Sequence, residues 1–400
     1  MNVQHMGSGS QSSVGASTTR YFHMFSGDFK DGGGTESEQR ANAASPGTIS
    51  LVGLFISAND RGASTWKVRK NTADGSTSIS IGASGTGQFE DTTNTDAFVD
   101  NDLLCYQVIT GAGGTQFRPE TTWHTFAPTS GTQTYLSNES QNFSGTADNF
   151  FAFCEASLLT TENQAQGTIG VAATLQNAMS NVQSNTRSDT CTFRTRINIA
   201  NGNIAMQYLT TATGIVEDVS NTDTVADGDE INWMWDQGGG TGAINQSGIK
   251  VEIAATDAFP IFTSQDDAGS AQTAGLTWYH PVSGRLHPSE TTEADAETKS
   301  NVAFTLSDLY GFVSAYSLDA GSFTVRVRIN RANGNLVISF TGTGQQSDVT
   351  NADTVVDDDE VNYTTVTGGT TGSVTPRVFS LLAAVPAAVG RLRTLMGVGL

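Results

Sequence analysis

The feature that most constrains this chain is an internal duplication. Arg196-Ile197-Asn198-Ile199-Ala200-Asn201-Gly202-Asn203 returns as Arg328-Ile329-Asn330-Arg331-Ala332-Asn333-Gly334-Asn335, and a weaker copy reads Arg69-Lys70-Asn71-Thr72-Ala73-Asp74-Gly75. An acidic block follows each: Asp91, Asn94, Asp96 and Asp102, then Asp218, Asn221, Asp223 and Asp229, then Asp348, Asn351, Asp353 and Asp359. A Gly cluster closes each copy, at 111–114, 238–242 and 368–372. The leading arginines are offset by 127 and 132 residues, which is the size of a domain and not of a solenoid turn.

The repeated blocks have the pattern of half-buried strands. Phe323, Val325, Val327 and Ile329 alternate with polar residues, as do Phe193, Thr195 and Ile197, and Trp66 with Val68. Asn201-Gly202, Asn333-Gly334 and Asp74-Gly75 then predict tight hairpin turns with positive φ at Gly. The return strands alternate again: Leu336, Ile338, Phe340; Ile204, Met206, Tyr208; Ile79, Ile81. A later strand carries Leu104, Tyr106, Val108, matched by Ile231, Trp233, Trp235 and by Val361, Tyr363. With more divergent upstream halves, each copy holds seven or eight short strands, the pattern of an all-β sandwich of jelly-roll type. A short helix is expected within 155–166.

These signals divide the chain into a Gly/Ser-rich flexible arm at 1–19, sandwich repeats at 20–128, 129–260 and 261–380, and an apolar tail at 381–400. Linkers are read at 127–131 and, between the second and third copies, in the acidic run 264–274. Short linkers imply three tandem domains in a compact or rod-like row.

Composition narrows the function. Forty acidic against 20 basic residues give a formal net charge of -20, which disfavours a nucleic-acid backbone or an anionic membrane surface as partner. The N-terminus lacks the apolar core of a signal peptide, and no apolar run reaches the ~18 residues of a membrane span. The three cysteines, Cys105, Cys154 and Cys191, form no disulfide or zinc pattern and read as buried small hydrophobes.

The repeated acidic block is the best candidate ion site. Asp96 with Asp102, Asp223 with Asp229, and Asp353 with Asp359 are candidate oxygen ligands for calcium, against the alternative of Asx turns at strand ends. Arg69, Arg196 and Arg328 are candidates to pair with these acids across a sheet. The five histidines, His5, His23, His124, His280 and His287, lie outside the repeated blocks and in no metal-ligand spacing. No nucleophile elbow or Walker loop is present, and 238–242 reads as a hairpin loop. The tail has two Arg and no acid, so Leu381, Leu382, Val385, Val389, Leu392, Leu395 and Met396 are expected to dock on a partner or a second copy, or else on the third repeat.

Phe89-Glu90-Asp91-Thr92-Thr93-Asn94-Thr95-Asp96, with Asp227-Gly228-Asp229-Glu230-Ile231-Asn232-Trp233 and the closing Gly cluster, resembles tailed-phage virion proteins. The resemblance implies a non-enzymatic component of the virion exterior, a head decoration or fibre protein or part of a tail fibre, and carries no catalytic residues and no cofactor. Its partners are then other virion proteins or copies of itself, with a host-surface glycan as a further candidate. The alternative reading is a cell-surface adhesin or carbohydrate-binding array in which aromatics such as Trp233 or Trp278 stack on sugars. A polysaccharide depolymerase ranks third.

Overall fold

The computed structural model describes residues 3–9, 13–24, 28–29, 33–43, 45–129, 133–138, 141–154, 158–264, 271–286 and 290–385. Each repeat is organised around a 13-residue strand: Gly47–Asn59, Ala173–Asn185 and Phe304–Tyr316. A non-Gly residue in the left-handed region, Leu51, Asn177 or Asp308, bulges this strand at the same place in all three copies. On one edge it pairs with the strand that closes the repeat, Phe117–Pro128, Ala243–Ala255 or Ser373–Ala384. The closing strand pairs in turn with the strand that opens the repeat, Val3–Gly9, Gln133–Asn138 or Ala258–Ser264. A second sheet holds the alternating hairpins and the later aromatic strand, for example Phe323–Ile329, Ala332–Phe340 and Glu360–Thr367.

The alternation read from sequence is the burial pattern of this second sheet. Phe323, Val325 and Val327, with Leu336, Ile338 and Phe340, face inward, and so do Phe193, Ile204, Met206, Tyr208, Trp233 and Trp235. The two sheets of each repeat enclose one hydrophobic cluster. The clusters are not self-contained: Phe262 and Val378 of repeat three join the second, Trp123 of repeat one joins the third, and Met179 of repeat two joins the first.

That sharing corrects the expected architecture. The chain is all-β, but it is not a row of three tandem β-sandwich, jelly-roll-like domains. Its six sheets close into a six-bladed, propeller-like ring. A short strand of repeat one, Ala41–Asn42, packs on the long-stranded sheet of repeat two. Gly167–Thr168 of repeat two packs likewise on repeat three, and Thr298–Lys299 of repeat three packs back on repeat one. The opening strand of repeat two touches the opening strands of repeats one and three. A row would leave the first and last repeats apart; here they share a junction, as the other neighbouring repeats do.

Smaller corrections follow from register. The hairpins exist, but their turns sit three residues earlier than expected. The central residues with positive φ are Asn330-Arg331, Asn198-Ile199 and Asn71-Thr72, the signature of a type I′ turn. Asn333-Gly334 and Asn201-Gly202 lie on the return strand. Gly334 is there because a Cβ would stand 2.5 Å from the Asp353 carboxylate, and Gly202 because one would meet Asp223 at 2.5 Å.

The expected flexible arm 1–19 contains the strand Val3–Gly9, paired antiparallel with Phe117–Pro128. The boundary between repeats two and three is a tight connection at 256–257, with Asp257 at φ 58, and not the run 264–274. Among the described residues, helix is confined to three 3-10 turns, Glu36–Glu38, Glu162–Gln164 and Glu293–Asp295. The second is the short helix expected within 155–166.

Candidate functional site at the repeat junctions

The repeated polar residues are structural staples before they are anything else. Asp353 accepts the backbone N–H groups of Asn335 (2.7 Å) and Leu336 (3.0 Å), and Asp223 those of Asn203 (2.6 Å) and Ile204 (3.2 Å). Asp96 does the same for Ser76 and Thr77. Asp102, Asp229 and Asp359 each accept a side-chain amide from the first turn residue of the hairpin, Asn71, Asn198 or Asn330. Each also takes a nearby backbone N–H, from Val99, Ala226 or Val356. The six calcium candidates thus spend their oxygens on backbone N–H groups and Asn side chains, and the contacts of Asp96, Asp223 and Asp353 span 17–20 residues, unlike the local Asx turns of the alternative reading. Among the described residues no group of three His, Cys, Asp or Glu is placed to hold a metal ion.

The neighbouring Asp91, Asp218 and Asp348 close Asx turns on Asn94, Asn221 and Asn351. Burial pushes the Asp348 carboxyl up, but hydrogen bonds from Asn351, Val337 and Thr350 outweigh it and hold it down at about 2.

Arg69, Arg196 and Arg328 do not reach the acids across the sheet that the sequence suggested. Each grips the Glu of its own 3-10 turn with two nitrogens. Arg196 meets Glu162 at 2.7 and 2.9 Å, Arg328 meets Glu293 at 2.5 and 3.2 Å, and Arg69 meets Glu36 at 3.4 and 3.0 Å. The same guanidinium holds the hairpin turn through Thr72 O, Ile199 O or Arg331 O.

Two further arginines escaped the sequence reading. Arg61 and Arg187 are buried, and their guanidinium groups donate to carbonyls of the Gly-rich loops, Arg61 to Gly113 at 2.9 Å and Arg187 to Gly242 at 3.2 Å. The shared Asn59-x-Arg61 and Asn185-x-Arg187 spacing was the available signal, each Asn side chain accepting the backbone N–H of its Arg. Repeat three has Leu318 instead, so the motif appears only twice.

The aromatics proposed to stack on sugars are inside: Trp233 is fully buried and Trp278 is 9% exposed. All three cysteines are buried, as expected of small hydrophobes. His23 and His280 are buried, and His124 packs inside, with Nδ1 at 2.7 Å from the Tyr106 hydroxyl. His287 lies outside the described residues. Of the tail residues expected to dock, Leu381 and Leu382 belong to the closing strand of repeat three and Val385 packs against its core. Val389, Leu392, Leu395 and Met396 lie outside the described residues.

The three junctions are where the repeats differ. One register position makes this plain. Trp123, Lys250 and Ser380 pair with Gly53, Met179 and Tyr310 at equivalent places in the three closing strands, and all three are buried. Trp123 fills the junction of repeats three and one, over Gly53 and with its indole N–H on Glu90 (3.2 Å). Lys250 lies at the junction of repeats one and two, its pKa lowered by burial while Asp100, Glu252 and Glu217 pull it back. Ser380 donates to Thr168 O (2.7 Å) across the junction of repeats two and three.

The three–one junction is also rich in charge. Glu120, beside Ser57 (2.5 Å), has its pKa pushed up to about 8 by burial, with Asp295 and Glu290 adding to it and Arg118 opposing. Lys299 reaches Glu90 of the first repeat at 2.9 Å, and Gln88 bonds Glu360 at 2.6 Å.

No protein-family model and no curated protein matches the chain. It is similar to a solved structure described as "The Triple Jelly Roll Fold and Turret Assembly in an Archaeal Virus", at 14% identity over 85% of this chain and 80% of that one, with a TM-score of 0.18. A TM-score that low does not establish a common fold.

Proposed function

We propose that the chain is a non-enzymatic structural component of a phage virion exterior, a head decoration, head fibre or tail-fibre protein held through a terminal segment. One observation carries the reading: the polarity of the ring. Val3 pairs with Phe126, beside the crossover into repeat two; Gln133 pairs with Ala254, beside the crossover into repeat three; Ala258 pairs with Ala384. Both ends of the described fold and both crossovers therefore share one end of the ring. The Gly-rich loops at 111–116, 237–242 and 368–372 are at the other, the length of a 13-residue strand away, roughly 40 Å.

The apolar, Arg-bearing segment 386–400 thus leaves from the crossover end, and an acidic body points away from it. A fixed end and a free end suit a projection from a particle surface. The net charge of -20 suits a surface that must stay dispersed.

The test is incorporation into particles. A cut near Phe379 would remove residues buried in the closing strand, so the chain should end at Val385. That shortened chain is expected to fold with an unchanged melting temperature and to fail to join particles that take up the full chain. Equal incorporation of the two overturns attachment through the tail.

A further inference from the structure

The asymmetry at Trp123, Lys250 and Ser380 leaves a space. With a serine at the junction of repeats two and three, a cavity of about 210 Å³ opens there, lined in part by Gln166, Glu230, Tyr310, Phe312 and Ile199. Gln345 and Ser380 donate to Thr168 in its wall, which leaves Gln166, Glu230 and Tyr310 to face a ligand. Gln166 is 6% exposed, and its Nε2 is buried with no hydrogen-bond acceptor among the described residues. Glu230 is half-buried, and burial alone raises its pKa, as for a carboxylate with no cation beside it. Tyr310, on the opposite wall and on another repeat, is likewise raised first by burial and then by the charges of Asp227 and Asp308. A buried donor without a partner is destabilising, and a ligand acceptor would relieve it.

We propose that this cavity is a binding site for a single neutral sugar unit. The chemistry selects the class. Gln166 supplies a donor, Glu230 an acceptor, and Tyr310 a hydroxyl that does either, while Phe312 and Ile199 supply apolar wall. A pyranose ring has the complementary make-up, with hydroxyls on its rim and C–H groups on its faces. No Lys, Arg or His lines the cavity, and Glu230 repels negative charge, so acidic sugars and phosphates are disfavoured. The volume is below the ~300–1,000 Å³ of drug-sized pockets and admits one ring only. The site does not depend on attachment to a particle, so its test is separate from the incorporation assay.

The test is saturation-transfer NMR on the full chain with the methyl glycosides of glucose, galactose, mannose and N-acetylglucosamine, with sialic acid as the charged control. At least one neutral glycoside is expected to bind at millimolar concentration, and sialic acid is not. Tyr310→Phe and Gln166→Leu are each expected to weaken binding at least tenfold. Tyr310→Phe removes one oxygen from a side chain that is not fully buried, so a melting curve equal to the parent separates loss of binding from loss of fold. Ser380→Leu, filling the cavity from behind, should also abolish binding. The proposal is overturned if no neutral glycoside transfers saturation, if sialic acid binds as well as they do, or if binding survives Tyr310→Phe and Gln166→Leu unchanged.

Discussion

The junction of repeats three and one and the junction of repeats two and three are built from equivalent elements and filled differently. In both, a short strand and a 3-10 turn of one repeat lie on the long-stranded sheet of the next. In both, the closing strand bulges after a proline, taking Glu120 after Pro119 in one and Arg377 after Pro376 in the other out of the ladder, and both side chains are buried. The first is packed with Trp123 and a network of acids and Lys299; the second is closed by hydroxyls, amides and apolar contacts. Thr168 takes hydrogen bonds from Ser380 and from Gln345 (2.8 Å), and Phe262 packs against Gly167. The backbone fixes where repeats touch, and side-chain choice at a few positions decides whether the contact is full, titratable or hollow.

The largest expected difference is in packing. Trp123→Ala should destabilise the chain by about 3–5 kcal/mol, the usual range for emptying a buried aromatic site. Ser380→Ala at the matching position should cost only about 1–2 kcal/mol, mostly for the carbonyl of Thr168 left short of a donor. Denaturant unfolding of the two variants measures both. Similar losses would mean that the two junctions carry equal packing after all.

The next difference is in pH response. Glu120 holds its proton in the folded chain up to about 8, against 4.5 ordinarily, so the folded state binds the extra proton between those values. Its stabilising contribution is full below about 4.5 and is lost as pH rises through about 8. His23 runs the other way. Burial lowers its pKa from 6.5 to about 4, so its contribution is full above 6.5 and is lost as pH falls towards 4. The two slopes oppose each other below 6.5, and from there to pH 8 Lys250, its pKa lowered well below 10.5 by burial, gains stability with rising pH and opposes Glu120. The Glu120 part is therefore read as a difference. Relative to the parent, Glu120→Gln should lose about 2 kcal/mol less stability across that window, whereas Ser380→Ala should track the parent. Chemical denaturation at pH 6.5, 7.2 and 8 decides the point, and a slope unchanged in Glu120→Gln removes Glu120 as its source.

Much of the second sheet was legible in the sequence and little of the ring was. Strands such as Phe323–Ile329 announce themselves because one face is buried and alternation with a period of two records it. The hairpin turns were misplaced because Asn-Gly is the strongest turn signal, and here the glycine serves the approach of Asp353 and Asp223 to the return strand. The turns themselves use Asn330-Arg331 and Asn198-Ile199, pairs with weak turn preference, stitched down by Arg328 and Arg196. The closure of the ring depends on Trp123, Lys250 and Ser380, three unlike residues at one register position. No single-sequence pattern marks them as equivalent, because their role is set by the repeat facing them and not by their own strand. The cavity was invisible for the same reason: it is defined by a side chain that is small where its counterparts are large.

The smallest expected difference is electrostatic and turns on Lys299. It bridges Glu90 across the three–one junction at 2.9 Å and also reaches Asp358 at 2.7 Å. Asp358 is 77% exposed, so water screens that arm and it contributes little. The arm to Glu90 is better sheltered, since Lys299 and Glu90 are 14% and 22% exposed, and Glu90 also accepts the Trp123 indole N–H. Lys299→Met keeps most of the apolar stem and removes the charge, so it isolates the ion pair from the packing. The expected loss is about 1 kcal/mol at low salt, shrinking towards zero near 1 M salt, where charges are screened beyond ~3 Å. Gln345→Met at the neutral junction, which removes the hydrogen bond to Thr168, should cost a similar amount at low salt and keep it at high salt. Thermal unfolding of both variants across a salt series measures the contrast, and a salt-independent loss in Lys299→Met would assign that residue to packing and leave the two junctions distinguished by Trp123 and Glu120 alone.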